Sequence, residues 1–117
     1  MKQEGIYFIL KPGAKREYIK LHKNIWPQLK SVLDEAGIHN YSIWNIENKL
    51  FAYYEVENKT HMKKVLENSV VYQNWRTLME NYIYKDFQSG KKEWFMKKVF
   101  FHKGGILNGE NKKQKKS

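Results

Sequence analysis

The chain has 117 residues, a length that predicts one domain, and its aromatic content of 15% argues against disorder throughout. It contains no cysteine, which excludes disulfides and thiolate chemistry. The formal net charge of +10 favours an anionic partner such as nucleic acid, but part of that excess lies at the end of the chain. Residues 104–117 carry four lysines against one glutamate and almost nothing that could be buried. We therefore predict a folded domain over 1–103 and a disordered, dispensable basic tail over 104–117.

The lengths of the apolar segments predict the cellular compartment of the protein. The first apolar run, 6–10, is too short for a secretory signal. No stretch approaches the roughly 20 apolar residues that a membrane-spanning helix needs. We expect a soluble cytoplasmic protein with no membrane partner.

The first half of the chain alternates strand and helix signals. Residues 5–11 are rich in β-forming side chains and are stopped by Pro12 and Gly13, which predicts a strand. A stripe of apolar residues at spacings of three and four then runs from 18 to 36 and predicts a helix. Pro27 lies inside this stripe and lacks a backbone donor. Because the stripe keeps its phase across Pro27, we predict one kinked helix.

The second half continues with two strands, two helices and a last strand. Residues 39–46 and 50–57 predict strands joined by a turn at 47–49. The remaining predicted elements are a helix over 59–67 capped by Asn58, a helix over 70–83, a loop over 85–93 and a strand over 94–101. The order β-α-β-β-α-α-β predicts a ferredoxin-like split βαβ α+β fold, an antiparallel sheet with helices on one face. Dimerisation would shield the other face.

One helix carries residues suited to chemistry. Tyr18, His22 and Trp26 are four residues apart and would share one helix face. An imidazole exchanges protons near neutral pH, and a phenol can donate or accept a hydrogen bond. Such a stripe is also typical of ordinary core packing, and spacing alone leaves both interpretations open. The other histidines lack the paired spacing of metal ligands, so no metal site is predicted.

The chain resembles the L-rhamnose mutarotase family over about residues 5–102. Two separated motifs carry the resemblance: Tyr-x3-His-x2-Ile-Trp-Pro at 18–27 and Gly-x-His-Asn-Tyr-Ser-Ile at 37–43. Further matches lie at 50–53, Trp75, Met79 and 99–100. The resemblance implies a dimeric α+β barrel built from ferredoxin-like subunits. It also implies that the protein interconverts the anomers of a 6-deoxy sugar such as L-rhamnose.

The same resemblance assigns roles to individual residues. The family's catalytic histidine, a proton donor, falls on His22, and two sugar-binding tyrosines fall on Tyr18 and Tyr41. A pair of tryptophans lines the family's pocket. Its first member falls on Trp75, but the second position is Arg76 here, so another 6-deoxy sugar such as L-fucose is an alternative substrate. Trp26 either contacts the sugar or fixes the bend at the following proline.

Opening and reclosing a hemiacetal needs one acid and one base, so we predict no cofactor. Two other functions stay open from the residues. A ferredoxin-like sheet with basic surroundings could bind nucleic acid, although the chain lacks the aromatic motif of that class. A related dimeric barrel could also be non-catalytic or act as a monooxygenase.

Overall fold

The structure is a computed structural model and describes residues 1–105. The predicted basic tail, 104–117, thus lies outside the described residues except for its first two positions. The regular elements in chain order are β1 (Lys2–Ile9), α1 (Lys15–Lys23), α2 (Pro27–Glu35), β2 (Ile38–Ile46), β3 (Lys49–Val56), α3 (Lys59–Glu67), α4 (Val70–Met79) and β4 (Trp94–Met96). Within residues 1–105, no helix is long and apolar enough to cross a membrane.

The strands form one antiparallel sheet in the order β2-β3-β1-β4. This order places β1, the first strand of the chain, between the third and the last, as a split βαβ arrangement requires. The predicted α+β, ferredoxin-like fold is confirmed.

The core lies between the sheet and its helices. Alternate residues of β3 are buried, as expected for a strand with one face covered. One core cluster joins Ile6 and Val56 of the sheet to Met62 of α3. A second joins Leu10 and Leu50 to Tyr18 of α1. The helix layer therefore packs on one face of the sheet, at two centres.

The prediction of one kinked helix is wrong, because α1 and α2 are separate helices. A residue that precedes proline is disfavoured in helical conformation. Trp26 accordingly has an extended backbone, with φ −64° and ψ 130°, and Pro27 is the first residue of α2. Proline is well suited to that position because the missing N–H would have no partner there. The break lets the two helices take different directions over the sheet.

The predicted helix 70–83 and strand 94–101 are both too long. α4 ends at Met79, after which the backbone turns to pair with the end of β1: Tyr84 N–H donates to the Ile9 carbonyl at 2.7 Å. β4 pairs with β1 only over Trp94–Met96. The following residues lie outside any described strand, and Val99 and Phe100 are 92% and 81% exposed. β1 continues to Lys2 beyond this pairing, so a β-rich sequence opposite a strand does not by itself extend the sheet.

Candidate active site

A cavity of about 470 Å³ lies between the sheet and the helix layer. Its floor includes Phe8 of β1 and Ile43 of β2. Its walls come from α1, the break before α2, α2, α4 and the residues that follow α4: Tyr18, His22, Ile25, Leu29, Lys30, Leu33, Tyr72, Trp75, Arg76, Met79, Glu80, Ile83, Lys92 and Glu93, with Tyr41 of β2. A volume of this size suits a small molecule.

His22 and Tyr18 enter the cavity one helical turn apart on α1. Their rings pack with centroids 4.2 Å apart, and Tyr18 is only 4% exposed. The Nδ1 atom of His22 lies 2.9 Å from the backbone carbonyl oxygen of Tyr18. A carbonyl only accepts hydrogen bonds, so Nδ1 carries the proton and donates. In the neutral ring, Nε2 is therefore the atom with a free lone pair.

Burial lowers the pKa of His22 below its ordinary value of 6.5, and the hydrogen bond to Tyr18 opposes part of that shift. Desolvation disfavours the imidazolium because the charged form loses more hydration than the neutral form. His22 is accordingly neutral at pH 7. A neutral imidazole with its acceptor nitrogen free is prepared to take a proton from a bound molecule.

Trp75 forms the wall next to His22, and Trp26 packs against it. The Trp75 ring meets the His22 ring edge-on, with centroids 5.3 Å apart. It also meets the Trp26 ring edge-on, with centroids 5.1 Å apart. Trp26 is half-buried and is not among the residues that line the cavity. This placement disfavours contact with a ligand; Trp26 instead lies at the break before Pro27 and packs against the wall.

Tyr41 reaches the cavity from the opposite side, on β2. Its ring packs against Tyr54 of β3 with centroids 5.4 Å apart. Although 44% of Tyr41 is exposed, burial of its phenol raises the pKa, and the neighbouring Tyr72 and Tyr18 raise it further. Burial also raises the pKa of Tyr54 to about 12. These phenols keep their protons at neutral pH and act as hydrogen-bond donors and acceptors rather than as bases.

Charged residues occupy one end of the cavity. Arg76 is on α4 directly after Trp75 and lines the cavity with Glu80 of the following turn. Lys92 Nζ donates to Glu80 Oε2 at 3.2 Å. A second cleft, of about 530 Å³, adjoins this end and shares Arg76, Lys92 and Glu93 with the first. The residue that departs from the family pattern thus lies in the wall and not away from it.

The structure therefore brings five of the six sequence-predicted residues to one cavity: His22, Tyr18, Tyr41, Trp75 and Arg76. Tyr72 and Glu93 were missed. Tyr72 precedes Trp75 and Arg76 by three and four positions, a spacing that could have placed it on the same helix face. Glu93 stands in a segment without regular structure, and nothing in the sequence predicts its position. No cluster of three histidines or carboxylates suited to a metal ion occurs within 1–105.

Several known proteins are similar to this chain. The family model described as L-rhamnose mutarotase matches residues 4–102. An L-rhamnose mutarotase of Bacteroides thetaiotaomicron is 42% identical over 77 residues, which are 64% of this chain and 73% of that protein. One of Oceanobacillus iheyensis is 36% identical over 78 residues, 65% of this chain and 75% of that protein.

Solved structures give the same result for the fold. The crystal structure of an L-rhamnose mutarotase from Formosa agariphila matches with a TM-score of 0.73 at 25% identity and covers 88% of this chain and 100% of that one. A structure from Nitrosomonas europaea, titled a putative antibiotic biosynthesis monooxygenase, matches with a TM-score of 0.59 at 12% identity, over 86% of this chain and 100% of that one. At that identity the second match shows a shared fold alone.

Proposed function

This chain belongs to the L-rhamnose mutarotase family, and on that premise we propose that it interconverts the α and β anomers of a 6-deoxy hexose. The resemblance predicted from the sequence is confirmed at the level of the family. The observation that carries the proposal is the position of the His22 imidazole: its Nδ1 donates to the Tyr18 carbonyl at 2.9 Å, in a cavity of about 470 Å³ that the phenols of Tyr18, Tyr41 and Tyr72 also line. L-rhamnose is the first substrate to test, because the relatives are named for it.

The reaction needs one proton to move between two oxygens of the sugar. Ring opening removes the proton from the anomeric hydroxyl, breaks the bond from C1 to the ring oxygen, and adds a proton to that oxygen. Both oxygens are bonded to C1, so one imidazole can serve both. His22 Nε2 takes the anomeric proton, and the resulting imidazolium delivers it to the ring oxygen. Rotation about the bond from C1 to C2 and the reverse steps then give the other anomer, with assistance typically worth 10²–10⁴-fold.

The other residues of the cavity bind and orient the sugar in this proposal. Tyr18 and Tyr41 lie where they can hydrogen-bond sugar hydroxyls from two sides, since one is on α1 and the other on β2. Trp75 offers a flat apolar surface for the ring and the C6 methyl group. Trp26, which packs edge-on against Trp75, keeps that surface in place. Every atom transferred from one group to another is a proton of the sugar or of His22, so the proposed mechanism has no step for a cofactor.

We further propose that the protein acts as a homodimer in the cytoplasm. The face of the sheet opposite the helices carries exposed apolar side chains, among them Trp44 at 68% and Ile46, two residues further along β2, at 58%. A contiguous apolar surface of this kind is costly in water and is typical of an interface. A second copy offers the same surface and would cover it in a symmetric pair.

The test of the function is anomer exchange measured by NMR on the full chain, with L-rhamnose, L-fucose and D-glucose as substrates. We expect exchange of at least one 6-deoxy hexose to be accelerated well above the spontaneous rate, and D-glucose to respond less. Exchange at the spontaneous rate for all three sugars would contradict the proposal. Sedimentation of the same sample tests the dimer separately.

A further inference from the structure

Strand β2 contains one residue more than its pairing with β3 can use. His39 pairs with Glu55 and Ser42 pairs with Tyr53, so two residues of β2 stand opposite Tyr54 alone. Those two are Asn40 and Tyr41. Asn40 has φ 49°, in the left-handed region that side chains with a Cβ rarely adopt. This is a β-bulge.

The bulge decides which way Tyr41 points. Side chains alternate between the two faces of a strand, so residues an odd number apart lie on opposite faces. Ile38 and Ile43 are five apart, yet both pair with buried residues of β3 and pack with the core. The extra residue in the bulge restores the alternation, so that Ile38 and Ile43 face the same side of the sheet. In a regular strand continued from Ile38, Tyr41 would lie on the open face of the sheet; with the bulge it lies on the helix side, against Tyr54.

Two hydrogen bonds to the Glu55 carboxylate support the bulge. Asn40 Nδ2 donates to Glu55 Oε1 at 2.8 Å, across from the irregular position. The other carboxylate oxygen of Glu55 accepts from the Tyr53 hydroxyl at 2.7 Å. Both hydrogen bonds favour the ionised carboxylate, that from Tyr53 more than that from Asn40, and they lower the pKa of Glu55. Asparagine is among the residues that enter the left-handed region most readily.

We propose that Asn40, through its left-handed backbone and its bond to Glu55, is a positioning residue that turns Tyr41 into the sugar cavity. The proposal rests on the proposed function for its kinetic consequences, but not for its structural one. Asn40 and Glu55 do not line the cavity, so each acts on the sugar site through Tyr41.

The experiment uses the full chain and three substitutions on the same hairpin. Asn40→Ala removes the amide and disfavours the left-handed backbone, whereas Asn40→Gly removes the amide but leaves that backbone accessible. Asn45→Ala is the matched control, because it removes two hydrogen bonds to backbone carbonyls at the far end of the same hairpin. We expect Asn40→Ala to lower kcat/KM about tenfold, the size set by the cost of a left-handed alanine, and Asn40→Gly to recover most of it.

A double-mutant cycle shows whether the loss passes through Tyr41. In a Tyr41→Ala background, Asn40→Ala should cause no further loss, because coupled residues are non-additive. A full additional loss there, an unchanged kcat/KM for Asn40→Ala alone, or an equal loss for Asn45→Ala would overturn the proposal.

A second measurement does not depend on activity. The wild type should show a nuclear Overhauser contact between the rings of Tyr41 and Tyr54, which Asn40→Ala weakens and Asn40→Gly retains. If the wild type does not accelerate anomer exchange of any sugar, the proposed function is wrong. The Tyr41–Tyr54 contact would still show whether Asn40 positions Tyr41. A contact that is unaffected in Asn40→Ala would show that the bulge forms without the asparagine.

Discussion

The two faces of the sheet are both rich in aromatic side chains but differ in what covers them. On the open face, one row of aromatic cross-strand neighbours spans all four strands: Trp44, Phe51, Tyr7 and Trp94. Within that row the rings of Tyr7 and Phe51 are 5.3 Å apart, and those of Tyr7 and Trp94 are 5.9 Å apart. On the other face, helices close over the aromatic residues and leave a cavity.

This difference separates binding chemistry from association. Aromatic rings in a flat exposed row offer apolar area, and a flat surface suits another flat surface. Rings around a concavity lose water, and burial there raises the pKa of Tyr18 and lowers that of His22. We therefore propose that catalysis belongs to the covered face and dimerisation to the open one. A change confined to one face should therefore leave the role of the other face intact.

The largest effect is expected for His22→Ala on the covered face. Removing the imidazole takes away the group proposed to move the proton, so the rate of anomer exchange should fall by about 10²-fold or more. Circular dichroism and sedimentation should show an unchanged fold and an unchanged association. The matched control is His61→Ala, since His61 is an exposed histidine of α3 outside the cavity. Near-normal activity in a folded His22→Ala variant would make His22 a structural residue.

Trp44→Glu tests the open face. Trp44 is 68% exposed, so the subunit should still fold, but a carboxylate in the middle of an apolar interface loses its hydration. We expect the dimer dissociation constant to rise by about 30-fold, as for a typical interface hot spot, with a much smaller change in rate per subunit than His22→Ala gives. Ile19→Glu, which places the same charge on an apolar residue of α1, should leave association unchanged. Equal association of wild type and Trp44→Glu would remove the open face from the interface.

The pH dependence of the exchange rate tests whether His22, on the covered face, acts as a base. The neutral form of His22 is the proposed base, and burial lowers its pKa. The enzymatic rate, corrected for spontaneous exchange, should be flat near pH 7 and fall about tenfold per pH unit below the His22 pKa, which lies under 6.5. The same shift makes the contribution of His22 to stability present above pH 6.5 and lost as the pH falls through its pKa. A rate that rises on acidification would indicate that the imidazolium is the active form.

Much of the fold follows from local patterns in the sequence. Alternation in residues 50–57 and spacings of three and four elsewhere predict the order of the elements, because each pattern reports which face is buried. At Pro27 two signals conflicted, and the local restriction decided the structure. The apolar stripe ran unbroken past Pro27, yet the conformational restriction at Trp26 separated α1 from α2. After Met96 the β-rich residues do not pair, although β1 continues to Lys2, so β-propensity overestimates the length of the last strand.

The sequence predicts which site residues lie close together when they share a helix. It predicts this less well for residues that come from different elements. Tyr18 and His22 are one turn apart, so their proximity follows from helix geometry. The family resemblance pointed to Tyr41, but its direction depends on the bulge at Asn40, which the alternation of β2 does not announce. Glu93 reaches the cavity from the segment between α4 and β4, whose course is fixed by tertiary packing.

The smallest expected effect is a change of sugar preference in Arg76→Trp. Arg76 lines the cavity with Glu80 and Lys92 at its charged end, where the family pattern has a second indole. A guanidinium offers five donors in a planar fork, whereas an indole offers apolar area and one N–H. The ratio of rates on L-rhamnose and L-fucose should therefore shift several-fold, about 1 kcal/mol, a typical net hydrogen-bond contribution. Arg76→Lys keeps the charge but loses the fork, so it should shift the ratio nearly as much as Arg76→Trp if geometry matters more than charge, and less if charge matters more. The dimer should be unaffected by either change, because Arg76 lies on the covered side. An unchanged ratio in Arg76→Trp would mean that the sugar does not touch this end of the cavity, and the preference would then have to be set at Trp75 and Tyr41.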